Sequence, residues 1–146
     1  MIRLSKSSLG PNEKAAVKSV LDNENLGMGE VVKEFEVLLK DYFGREAVSV
    51  INGTSAIQLA IQACNISNGD EILVPSLTYI ATFQAIGATG AVPVACDVDT
   101  ELCFLDPKDA EKRITNKTKA IIPVHLYGQP CELNKILQIA KKYKLK

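Results

Sequence analysis

The residues best placed to do chemistry lie in three short stretches. In Asn52-Gly53-Thr54-Ser55 a glycine, which lets backbone approach a ligand closely, is followed by two hydroxyl side chains where a helical pattern begins. The first N–H groups of a helix lack intrahelical partners, and the helix dipole makes that end positive. Gly53, Thr54 and Ser55 are therefore candidates for holding a phosphate. The plainer role is an N-cap, with Ser55 and Gln58 at capping-box spacing. Pro75-Ser76-Leu77-Thr78-Tyr79 puts an aromatic ring at a helix start, where it either stacks on a planar ligand or packs. His125-Leu126-Tyr127-Gly128-Gln129-Pro130 carries the only histidine. With no partner close in sequence, it reads as structural rather than as a base.

Several common chemistries have no counterpart. No GxGxxG follows a strand and no GxxxxGK[ST] occurs, so neither a dinucleotide fingerprint nor a P-loop is present. Cys64, Cys96, Cys103 and Cys131 form no CxxC pair, and no metal site is expected. Cys64 and Cys96 sit in apolar segments and are expected to be buried, inert thiols. Asp97 and Asp99 read as solvated turn acids, and Lys141–Lys146 as a solvated helix end.

The elements that must position these stretches alternate. Gly10-Pro11-Asn12-Glu13 opens a first helix, with Pro in its first turn, and Val17, Val20 and Leu21 supply its stripe. Val31, Phe35, Leu38, Leu39 and Tyr42 repeat at helical spacing, and Gly44 suits the C-cap. Ala47–Ile51 predicts a strand running into Asn52–Ser55, followed by a helix with Ala56, Leu59, Ala60 and Ala63 on one face. Further strands are predicted at Glu71–Val74, Ala91–Cys96 and Thr118–His125. Helices are predicted from Thr78 to about Ala88, from Asp106-Pro107, and through Leu133, Ile136, Leu137, Ala140 and Tyr143. Near-continuously apolar strands separated by helices imply an α/β fold: three layers, with a mostly parallel sheet covered on both faces. In such sheets ligands bind at the carboxyl ends of strands, which is where all three stretches fall.

Composition sets the outer bounds. The 146 residues are 47% hydrophobic, and 17 Lys+Arg balance 17 Asp+Glu, so neither a disordered charged segment nor a protein living on nucleic-acid phosphates is indicated. The longest apolar runs fall far short of a membrane span, and Met1–Ser8 lacks the apolar region of a secretory signal. The expectation is a cytoplasmic domain without a membrane or nucleic-acid partner.

Three ordered motifs then bring a family into view: Asn52-Gly53-Thr54-Ser55-Ala56, Gly69-Asp70-Glu71 through Ala81-Thr82, and Thr118-Lys119-Ala120 through Gly128-Gln129-Pro130. From about Leu9 to Lys146 the chain resembles the DegT/DnrJ/EryC1/StrS nucleotide-sugar aminotransferases, which use pyridoxal 5′-phosphate (PLP). The resemblance implies the fold type I large domain, with residues 1–146 as its N-terminal portion. It also implies phosphate contacts at Thr54 and Ser55, beside Gly53, and ring stacking at Tyr79. Asn25-Leu26-Gly27-Met28-Gly29 matches a loop near the substrate mouth but departs from the family's commoner Trp-Leu-Thr/Ser-x-Gly form.

In that family an acid facing the pyridine nitrogen follows shortly after the position of Lys146. The Schiff-base lysine and the small C-terminal domain lie further on. No catalytic residue is therefore assigned in this chain, and these 146 residues alone are expected to be inactive. The implied partners are a nucleotide-sugar substrate, an amino-acid donor (usually glutamate) and, at full length, a second copy in a homodimer. The alternative is a non-catalytic module for phosphate ligands, or an inactive truncated product.

Overall fold

A computed structural model describes residues 6–146. The chain divides into two compact units, the first ending at Ser49 and the second spanning Val50–Lys146.

The first unit holds α1 (Pro11–Asp22) and α2 (Glu30–Phe43). Glu13 reaches back to accept from the Gly10 N–H at 2.6 Å, which satisfies a donor that the helix leaves over. Gly44 closes α2 with φ +65°, a left-handed conformation that glycine adopts without a Cβ penalty. Neither helix buries a residue. Val17, Leu21, Phe35 and Leu38 remain exposed, although their spacing predicts core-facing stripes.

The second unit runs α3 (Gly53–Ala63), β1 (Glu71–Pro75), α4 (Ala81–Ala88), β2 (Val92–Cys96), α5 (Pro107–Lys112), β3 (Thr118–Ile121) and α6 (Leu133–Tyr143). The strands form a parallel sheet in the order β2-β1-β3. Because side chains alternate across a strand, β1 splits its apolar run between two cores. Ile72 and Val74 pack with Ile61, Ile66, Ile86 and Ala91 from the α3–α4 side. Leu73 packs with Ile121, Ala110, Ile136 and Ile139 from the α5–α6 side. Helices thus cover both faces, and the α/β, three-layer expectation holds.

Two strand expectations need correction. Ala47–Ile51 forms no strand; the Ser49 N–H donates to the Glu36 carboxylate at 2.6 Å, so a side chain takes a donor that a ladder would have used. Thr118–His125 pairs only as far as Ile121, with Ile122 N–H still donating to the Leu73 carbonyl at 2.8 Å. The reciprocal bond would come from Pro75, which has no N–H, and the ladder stops there. On the outer side of β3, Lys146 donates to the Lys119 carbonyl and accepts from the Ile121 N–H. This is the bonding of a parallel neighbour.

The helix expected from Thr78 begins at Ala81. Cys96 and Cys131 are buried, but Cys64 is exposed, because it caps the end of α3 rather than lying within an apolar face. Among the described residues no helix is long and apolar enough to cross a membrane. Nor, among them, do three or more His, Cys, Asp or Glu side chains gather in a way that could hold a metal ion.

Candidate functional site

α3 feeds into the start of β1, and α4 leaves from its end. Both helices therefore run against the strands, and both N-termini face the carboxyl edge of the sheet. Topology alone brings the Asn52–Ser55 stretch and the Tyr79 loop to the same edge, even though Ala47–Ile51 forms no strand ahead of α3.

The α3 terminus is built by Asn52, not Ser55. Asn52 is extended (φ −165°) and its side-chain oxygen accepts from the Ser55 N–H at 2.9 Å, while its carbonyl accepts from Ala56 N–H at 3.1 Å. The expected Ser55–Gln58 capping box is therefore replaced. Both residue types cap helices well, and the backbone decides between them. This arrangement leaves the N–H groups of Gly53 and Thr54 for an incoming acceptor and frees the Ser55 hydroxyl from capping. Thr54 and Ser55 are half-buried. A Cβ added at Gly53 would meet nothing within 4 Å, so the space before that backbone is open. Two backbone donors, two hydroxyls and the positive end of an 11-residue helix fit a phosphate group.

Tyr79 stands one residue before the N-cap of α4. Its carbonyl accepts from Thr82 N–H at 3.1 Å, and the hydroxyls of Thr78 and Thr82 lie 3.0 Å apart. The backbone is thereby held while the ring remains 78% exposed, a face free to stack on a planar ligand. These residues fit a flat, phosphorylated cofactor.

Groups past β2 are committed to structure. The Asp109 carboxylate accepts from the Asp97 N–H and from Arg113. The Arg113 guanidinium and that N–H hold its pKa below the usual carboxylate range. Burial pushes the Cys96 thiol up to about 11, so it stays protonated and inert. Asp99, expected to be merely solvated, accepts from the N–H groups of Leu102 and Glu101. They lower its pKa.

His125 is where sequence reasoning falls short. Its Nδ1 accepts from the backbone N–H of Cys131 at 3.1 Å. A backbone donor six residues away leaves no trace in residue types, apart from the glycine that turns the loop back.

Comparison with known proteins bears on the whole chain. Residues 7–146 match the model of the DegT/DnrJ/EryC1/StrS aminotransferase family. The chain is 44% identical over 140 residues to GDP-perosamine synthase of Escherichia coli O157:H7, covering 94% of this chain and 38% of that one. Among solved structures it resembles S. venezuelae DesV in complex with a ketimine intermediate, with TM-score 0.82 and 40% identity over 90% of this chain and 36% of that one. It also resembles E. coli GDP-4-keto-6-deoxy-D-mannose-3-dehydratase with bound hydrated PLP, with TM-score 0.86 and 31% identity over 97% and 38%. The chain thus spans a little over a third of the length of these relatives. With the family model matched from residue 7 to residue 146, the chain belongs to the DegT/DnrJ/EryC1/StrS aminotransferase family.

Proposed function

We propose that residues 1–146 form the N-terminal portion of the large domain of a PLP-dependent aminotransferase. Its full-length form, a homodimer, moves an amino group, usually from glutamate, onto a keto nucleotide sugar. The observation that carries this reading is the α3 terminus, where Asn52 takes the capping role, the space before Gly53 is open, and the Ser55 hydroxyl is left free of capping. The share of each relative that the chain spans and the ladder bonds of Lys146 beside β3 support the domain assignment.

In this reading Gly53 and Thr54 donate backbone N–H groups to the phosphate, and the Thr54 and Ser55 hydroxyls complete the cup. The positive end of α3 stabilises the phosphate's charge. Tyr79 covers one face of the ring and keeps water from it. PLP, when bound, supplies an electron-withdrawing ring for carbanion stabilisation. A chain that binds the phosphate and the ring without an amine at the reacting carbon holds the cofactor but does not turn it over.

The test is a PLP titration of the chain, alongside an assay for amination of a keto nucleotide sugar. Saturable binding without turnover is expected. A Thr54→Val variant is expected to bind about tenfold more weakly, the scale of one hydrogen bond to a charged group. Unchanged affinity in that variant, or amination by these 146 residues alone, would overturn the reading.

A further inference from the structure

The third chemistry-bearing loop plays no part in the proposal above, and its geometry is specific. Leaving β3, the chain makes a tight turn over Leu126–Gln129, closed by Gln129 N–H donating to the Leu126 carbonyl at 3.0 Å. Both central residues, Tyr127 (φ 54°) and Gly128 (φ 79°), are left-handed. Glycine takes that conformation freely, but a tyrosine there is strained, and such strain persists only where the surroundings enforce it. The turn doubles the chain back so that Cys131, buried at the entry to α6, offers its N–H to His125 Nδ1 at 3.1 Å.

That bond fixes the imidazole chemically as well as in space. A backbone N–H can only donate, so Nδ1 must accept, and the ring's hydrogen sits on Nε2. The imidazole is anchored from behind by a buried residue while the side chain as a whole stays exposed. Strand order says which ligand such a donor would meet. β1 and β3 are adjacent and parallel. The loops that leave their carboxyl ends, one carrying Tyr79 and the other His125, therefore belong to the same edge of the sheet.

We infer that His125 is a positioning residue that presents Nε2–H as a hydrogen-bond donor to an oxygen acceptor on the planar ligand held against Tyr79. In this role it does not act as a proton-accepting base, since its one acceptor nitrogen is already occupied by Cys131. The inference rests on the proposed PLP reading. It gives His125 a task that the phosphate cup does not perform: fixing the rotation of a ring that stacking alone leaves free to slide.

The experiment uses the untagged full chain, whose single histidine gives a single imidazole in long-range ¹H–¹⁵N spectra. Without ligand, Nδ1 is expected to show the shift of an unprotonated ring nitrogen and Nε2 that of an N–H. The reverse assignment, or one averaged pair, would overturn the inference. On addition of PLP, the Nε2 signal is expected to move along with the amides of Gly53, Thr54 and Ser55. If those amides move and the ring does not, this inference fails alone; if the amides also stay still, the phosphate reading fails and takes it along. His125→Asn places an oxygen near the position of Nδ1 and removes the Nε2 donor. It is expected to leave the Cys131 amide signal in place and to weaken PLP binding about three- to tenfold, the worth of one ordinary hydrogen bond. Equal affinity in that variant would assign His125 to loop structure only.

Discussion

The two units of this chain obey the same sequence rules and reach opposite outcomes. In the second unit the apolar run of β1 ends in burial, with Ile72, Leu73 and Val74 0% exposed, and Ile136 and Ile139 of α6 lie under the sheet. The face expected for α3 (Ala56, Leu59, Ala60 and Ala63) and Leu137 of α6 nevertheless stay exposed, and α3 buries Ile61 instead. In the first unit, α2 has an equally regular stripe, yet Phe35 is 52% and Leu38 60% exposed. Periodicity reports that a face is made to be covered; a sheet or second layer must still be there to cover it. The second unit supplies its own cover because its strands pair in parallel and each crossover lays a helix on one face. Among its described residues the first has two helices and no sheet, and what is regular about it is local: a capping glutamate, a left-handed glycine and the contact from Glu36 to Ser49.

The largest test of this contrast is Leu73→Ala. Leu73 belongs to the central strand and touches the α5–α6 core, so truncation is expected to cost about 2–5 kcal/mol in urea unfolding. A loss near that of a surface change would mean that the second unit's core is not the stabilising one.

Next comes the acid side of the sheet edge. Asp109 joins Arg113 to the Asp97 backbone, and its folded pKa is lowered. A group depressed on folding adds stability above its unfolded pKa and loses it as pH falls through the folded value. Asp109→Asn is therefore expected to cost about 1–2 kcal/mol near neutral pH. The difference from the parent chain should shrink below about pH 4 and vanish in stronger acid. A gap that stays constant from pH 7 to pH 2 would contradict the ion-pair account.

Smaller again is Asn52→Ala, expected to cost about 1 kcal/mol in stability, because the Ser55 N–H loses its acceptor. Ser55→Ala should cost less, since Ser55 does not cap. Reversed magnitudes in thermal unfolding would restore Ser55 as the cap and remove the argument that its hydroxyl is free for a ligand.

How much of this was legible in residue types differs from element to element. The cap at Asp106-Pro107 and the left-handed Gly44 depend on interactions within a few residues, and type and spacing announce them. The strand expected at Ala47–Ile51 failed because strand formation is a matter of partners: five suitable residues do not form a ladder when Glu36 takes one of their donors. The end of β3 depends on Pro75, more than forty residues earlier in the chain, which only the register brings alongside. The choice of Asn52 over Ser55 was a contest between two good caps, decided by which residue is extended. The anchoring of His125 needed the fold itself, since its partner is a main-chain N–H that every residue but proline possesses.

The smallest expected effect is also the one that sharpens the comparison most. Phe35→Ala removes one of the two aromatic side chains from the stripe of α2. For a half-exposed side chain, the change in the 146-residue chain should stay within about 0.5–1 kcal/mol, well below the cost at Leu73. The same substitution made together with Val31→Ala and Leu38→Ala should then add up to little more, because residues facing water share no packing to lose. If Phe35→Ala instead costs several kcal/mol, or if the triple change falls far from the sum of its parts, the stripe is covered in solution. The first unit would then have a core of its own. A small, additive loss would leave α2 as a helix whose apolar face is written into the sequence but has no cover within its own unit.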